Sequence, residues 1–72
     1  MAGAPDRPVD LNSASKEELM RVRGISERRA LQILRYRDEH GGFHSVDELR
    51  CIQGFADLLD DDFRDALTAG RR

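Results

Sequence analysis

The chain has 72 residues, 36% of them charged and 6% aromatic, with a formal net charge of −2 and a single cysteine. That length makes one small domain with no room for a second core, built on leucine, isoleucine, valine and alanine, and Cys51 alone excludes an internal disulfide. No apolar run approaches the roughly 20 residues of a membrane span, and the opening Met1–Pro8 lacks the apolar stretch of a secretory signal. As it stands the sequence predicts a soluble, cytoplasmic protein, or an extracytoplasmic one if it is a fragment of a membrane-anchored protein.

In chain order, Pro5 and Pro8 mark residues 1–8 as a flexible, extended lead-in. Val9 and Leu11 are expected to dock, with Asn12 turning the chain. Ser15-x-x-Glu18 is a capping box, in which each side chain satisfies a free backbone N–H of a helix start, so a short helix is predicted over 16–22. Gly24 stops it, because glycine accepts the left-handed conformation that ends a helix. Ser26 is a good N-cap for a second helix over 27–40. Ala30, Ile33, Leu34 and Arg37 share one face of it, and Arg28, Gln32 and Arg35 point the other way. Arg37, on the apolar face, is read as structural, bonding carbonyls or a carboxylate. Gly41-Gly42 terminates the helix and Phe43 plugs the core.

The pattern then repeats thirty residues on, without a gap. Ser15 aligns with Ser45, Glu18 with Glu48, Leu19 with Leu49, Val22 with Ile52, Gly24 with Gly54, Ile25 with Phe55 and Ile33 with Phe63. A second capping box and helix are predicted over 46–52, then a turn at Gly54 with Ala56 as a poor N-cap. A last helix over 57–68 carries Leu58, Leu59, Phe63, Ala66 and Leu67 on one side, and Gly70 ends it. Two copies make a pseudo-symmetric pair rather than a solenoid. The expected architecture is all-α, four to five short helices, with motif one at 15–40, motif two at 45–68, the domain at 9–69 and a tail at 70–72. No strand pattern stands out.

The charge is uneven. From Lys16 to Arg37 there are seven bases against three acids, and from Asp38 to Ala69 nine acids against two bases, so the halves carry +4 and −7. A helix start exposes unpaired N–H groups and roughly half a positive charge. Arg28 and Arg29, in the first turn of the second helix, are the wrong sign for that dipole and cost up to about 1 kcal/mol each. A phosphate held between the N–H groups and the arginines reverses the cost, because small residues let it approach the backbone. Solvated surface arginines are the other reading of "RGISERR", and this stretch alone does not separate the two. In "QGFADLLDDD", Asp57, Asp60, Asp61 and Asp62 supply the anions themselves, which reads as helix stabilisation and would repel a phosphate.

Other chemistry has little support. His40, His44, Asp47 and Cys51 do not share a helical face or a zinc-finger spacing, so no metal site is predicted. The Asp run lacks the alternation and central glycine of a calcium loop. No nucleophile constellation stands out, and Cys51 is expected to be partly buried beside Ile52. The chain is not expected to be an enzyme.

The run Leu19-x-x-Val22-x-Gly24-Ile25-Ser26-x-x-x-Ala30-x-x-Ile33 resembles a helix-hairpin-helix motif. With "VDLNSAS", "YRDEHGGF" and "SVDEL", residues 9–68 resemble the DNA-binding domain of the ComEA family of competence DNA-uptake proteins. The resemblance implies a tandem helix-hairpin-helix fold and sequence-independent binding of double-stranded DNA through backbone phosphates. It implies phosphate contacts at Arg23, Gly24, Ile25, Ser26, Arg28 and Arg29, with secondary contacts at Gly54 and Ala56. It implies no cofactor beyond a monovalent cation that some such hairpins hold. Ser26 and Ala56 stand where the family usually has a second glycine, and no base follows the second hairpin. The alternative is a degenerate module used for protein–protein interaction, or for self-association through the acidic half.

Overall fold

The computed structural model describes residues 8–70. Most of the lead-in expected at 1–8, and Arg71 and Arg72 of the expected tail, lie outside the described residues. The elements in order are β1 (Val9–Asp10), α1 (Lys16–Leu19), α2 (Glu27–His40), a 3-10 helix at Val46–Cys51, a 3-10 turn at Ala56–Leu58, α3 (Asp61–Asp65) and β2 (Leu67–Thr68). The architecture is all-α apart from the two-residue strands.

The repeat is physical. Leu19 and Leu49 are both fully buried, and the pairs Val22 and Ile52, Ile25 and Phe55, and Ile33 and Phe63 all lie in one core with Leu11, Ala30 and Phe43. The backbone repeats as well. Val22 N–H donates to Leu19 O at 3.1 Å and Ile25 N–H to Val22 O at 3.0 Å; Ile52 N–H donates to Leu49 O at 2.9 Å and Phe55 N–H to Ile52 O at 3.2 Å. Gly24 and Gly54 turn both hairpins with φ of 97° and 95°, a region that L side chains enter only at a cost.

Motif one follows its local signals. The Ser15–Glu18 capping box closes at both ends: Ser15 Oγ accepts from Glu18 N–H at 3.2 Å, and Glu18 Oε1 from Ser15 N–H at 2.9 Å. The regular helix stops at Leu19 rather than 22, because Arg21 and Val22 bond three residues back and tighten the last turn. α2 spans Glu27–His40 as expected, capped by Ser26 and ended by Gly41. Arg37 donates from Nη1 to Leu11 O at 3.2 Å and Ala14 O at 2.9 Å, pinning the N-terminal segment to α2.

Motif two departs from its expected helices. Ser45 makes no side-chain cap. Glu48 instead accepts from His44 N–H at 2.6 Å and from the Tyr36 hydroxyl at 2.8 Å, and the uncapped segment winds as a 3-10 helix. With three residues per turn, Val46, Leu49 and Ile52 fall on the core side. Cys51 is turned out and exposed, not partly buried as expected. The helix expected over 57–68 breaks at Leu59–Asp60. Asp60 Oδ1 accepts from Phe63 N–H at 2.9 Å and starts α3 afresh, as aspartate favours.

β1 and β2 pair in parallel, Val9 opposite Leu67 and Asp10 opposite Thr68. Asn12 locks the seam. Its side-chain amide donates to Phe43 O at 2.9 Å and Gly70 O at 3.0 Å, and its Oδ1 accepts from Phe43 N–H. Asp10 Oδ1 accepts from Asn12 N–H and Gly70 N–H, both at 2.9 Å.

Candidate nucleic-acid interface

Hairpin one presents backbone and cations together. Ile25 is buried, and its backbone N–H donates to Val22 O at 3.0 Å, which anchors the loop. Arg23, Gly24, Ser26 and Arg28 are exposed around it, and Arg29 is half-buried. Ser26 is extended, with φ −83°, so serine at this position needs no glycine conformation. Its hydroxyl accepts from Arg29 N–H at 3.5 Å, a long bond that caps α2.

The electrostatics favour an anion. Glu27, the one acid in the first turn of α2, is taken up by Lys16, whose Nζ lies 3.1 Å from its carboxylate. That hydrogen bond raises the Lys16 ammonium above its ordinary pKa. Arg23 and Arg28 form no ion pair with another described residue. Arg29 behaves differently. Its guanidinium carbon lies 6.0 Å from the centroid of the Phe55 ring, and Nη1 donates to Gly24 O at 3.5 Å. It therefore spans the two hairpins.

In hairpin two, Gly54 and Ala56 are exposed. Ala56 opens the 3-10 turn, and no non-glycine described residue has positive φ, so alanine is unstrained there. Asp57, Asp60, Asp61 and Asp62 are all exposed. Sequence reasoning passed over Gln53, which joins Arg28, Arg29, Gln32 and Gly54 around an open groove between the hairpins. The repeat carried the signal, because Gln53 occupies the position of Arg23.

Among the described residues, no three His, Cys, Asp or Glu side chains gather to hold a metal ion, and no helix is long and apolar enough to cross a membrane. His40 stacks on Tyr36, with ring centroids 4.1 Å apart, and Tyr36 on Phe43 at 4.7 Å.

Comparison with known proteins agrees with this geometry. "Endonuclease/exonuclease/phosphatase family domain-containing protein 1" is 43% identical in Mus musculus over 63 residues, which is 88% of this chain and 11% of that protein. The Homo sapiens counterpart is 41% identical over the same share of each. ComE operon protein 1 of Bacillus subtilis is 27% identical over 60 residues, 83% of this chain and 29% of that protein. The chain thus spans a small part of the relatives it matches. The model of the helix-hairpin-helix motif matches residues 5–67, nearly the whole of the repeated unit, and the chain belongs to the helix-hairpin-helix family.

Proposed function

We propose that this chain binds double-stranded DNA without regard to sequence, through backbone phosphates, mainly with its first hairpin. Membership of the helix-hairpin-helix family, and the more distant likeness to ComE operon protein 1, support nucleic-acid binding in general. The observation that carries the finer reading is the contrast between the hairpins. Hairpin one offers a turn at Gly24, a helix start at Ser26, and Arg23 and Arg28 exposed beside them; hairpin two has Gln53 and Leu58 at the positions of those arginines, and four exposed aspartates follow its turn. Arg23, Gly24, Ile25, Ser26, Arg28 and Arg29 are the proposed contacts, Gly54 and Ala56 the secondary ones, and residues 9–69 the working unit.

The proposed role is to hold DNA rather than to cut it. The relatives' name includes an endonuclease/exonuclease/phosphatase family domain, but this chain matches only 11% of such a protein. A place in competence or DNA uptake rests on the B. subtilis relative alone.

With about 2–3 phosphates neutralised, the log–log salt slope of duplex binding is expected to be about −2 to −3. Arg28→Glu with Arg29→Glu should weaken binding equally on unrelated duplexes in a gel-shift assay at low salt. Unchanged affinity in that double variant would sink the assignment. The exposed aspartates around hairpin two favour a second reading, in which the acidic half docks a protein or another copy. Salt-sensitive elution on size exclusion, with no duplex shift, is its signature.

A further inference from the structure

The two motifs present unlike outer surfaces. Met20 and Leu31 are the large apolar side chains that stand exposed among the described residues, at 42% and 50%, and both belong to motif one. Each lies beside a base: Met20 precedes Arg21, and Leu31 is one helical turn beyond Arg28. Arg21, Arg23 and Arg28 are exposed, and none forms an ion pair with another described residue. Thirty residues on, Asp57, Asp60, Asp61 and Asp62 stand where motif one has Glu27, Ala30, Leu31 and Gln32. Asp57, Asp61 and Asp62 are exposed and likewise form no ion pair with another described residue. Leu58 and Leu59 beside them are half-buried. These acids therefore do not neutralise those bases within one molecule, and the complementarity between the two surfaces is left unsatisfied. A net charge of −2 leaves little self-repulsion to keep molecules apart.

We propose that motif two of a second molecule of this chain docks on the surface of motif one marked by Met20, Arg21, Arg23, Arg28 and Leu31, and that this docking competes with DNA. The inference rests on the reading of the acidic half as a docking surface, and it names the partner and the seat. Asp57, Asp61 and Asp62 of one molecule meet the arginines of the next. Met20 and Leu31 favour a protein as the occupant, because apolar side chains gain little from phosphates, whereas Leu58 and Leu59 beside the aspartates give them apolar area to bury. The two surfaces differ and each molecule carries both, so association extends past a pair unless the rotation closes a ring. Arg23 and Arg28 are also proposed phosphate contacts. A molecule within the assembly has its first hairpin covered, and duplex DNA must displace its neighbour to reach it.

The test is sedimentation velocity on the 72-residue chain at low and high salt, with and without a short duplex. Association is expected at low salt, and it should be lost at high salt and on addition of duplex. Met20→Ser with Leu31→Ser should weaken association several-fold and leave the duplex affinity of the dilute protein unchanged, since neither side chain is a phosphate contact. Arg21→Glu with Leu31→Ser spoils one surface, and Asp57→Lys with Asp61→Lys spoils the other. Neither variant should associate alone. An equimolar mixture of the two should form a pair and stop there, because it holds one intact surface of each kind. The substituted side chains are all exposed, and a native-like amide spectrum establishes that each variant is folded. Association abolished by the aspartate variant but untouched by the motif-one variants would overturn this seat and leave the acidic half standing as a docking surface. Association unchanged in the aspartate variant would overturn that reading as well. A parent that stays monomeric at low salt would overturn a second molecule as the partner, and duplex bound to an intact assembly would overturn the competition.

Discussion

The guanidinium of Arg29 lies over the ring of Phe55, 6.0 Å from its centroid, so a side chain from the first motif rests on the hairpin of the second. The same group donates to the carbonyl of Gly24. Arg29 thus couples the two turns that the proposed function uses. Arg29→Lys keeps the charge but loses the planar fork that stacks and bonds at once. The expected cost is about 0.5–1 kcal/mol in urea denaturation, the range of a partly exposed cation–π contact. Arg28→Lys should leave stability unchanged. An equal loss in both variants would refute the bridging role.

Gly24 and Gly54 separate conformational strain from packing. Both need positive φ, so alanine at either position should cost about 1–2 kcal/mol. The space differs: a Cβ at Gly24 makes ordinary van der Waals contact with Leu58 and Phe63, whereas at Gly54 it enters open space. The two variants should therefore have similar denaturation midpoints, since neither adds a clash. A much larger loss at Gly24 would mean that the interface cannot accept even one methyl group.

Arg37 and Asn12 hold the N-terminal segment in place with side chains rather than with apolar area. Arg37→Met removes two bonds from a charged donor and leaves the Leu11 and Ala14 carbonyls without it. The expected destabilisation is about 1.5–3 kcal/mol. Asn12→Ala loses both strands of contact to Phe43 and the bond to Gly70, at a cost of about 2–3 kcal/mol. In both cases duplex affinity should be unchanged wherever the protein remains folded, because neither side chain lies at the hairpins. Isothermal binding alongside denaturation checks this.

The Tyr36–Glu48 pair makes stability depend on pH at both extremes. Its hydrogen bond to Glu48, aided by burial, pushes the Tyr36 phenol up to about 12. Glu48 is held below the usual carboxylate value, first by the His44 N–H and then by the Tyr36 hydroxyl. A lowered carboxyl pKa contributes stability that is present above its unfolded value and is lost as pH falls through the native one. A raised phenol pKa contributes below its unfolded value, about 10, and that stability is lost as pH rises toward about 12. Tyr36 is the sole tyrosine, so phenolate absorbance reads it directly. Its midpoint should fall toward about 10 in Glu48→Ala, and an unmoved midpoint would show that Glu48 is not the cause.

The parts that were legible in the sequence are those with complete local grammar. α2 has an N-cap at Ser26, an apolar face through Ala30 and Ile33, and a stop at Gly41, and it forms where those signals put it. Arg37 is legible as structural because a charge on an apolar face needs acceptors, and it finds two carbonyls. Motif two misled because one signal had two uses. Asp60 looked like part of an acidic helix start, yet its carboxylate caps a new helix three residues before Phe63. Glu48 looked like half of a capping box, but the Tyr36 hydroxyl, twelve residues back, competes for it. The strands were out of reach, because two residues cannot display a period of two. The groove depends on how the motifs pack together, and only the equivalence of Arg23 and Gln53 pointed toward it.

The parallel seam of β1 and β2 also decides how the domain would carry a load. The two strands run the same way, so the chain enters at one end of the pair and leaves at the other. Tension between entry and exit slides the strands along each other instead of peeling them apart. The bonds from Val9 to Ala66 and from Leu11 to Thr68 then resist together rather than in succession, with Asn12 and Asp10 tied to Gly70 just beyond. The force path runs along the seam and bypasses both hairpins, which can keep their shape on a ligand while the seam takes the strain.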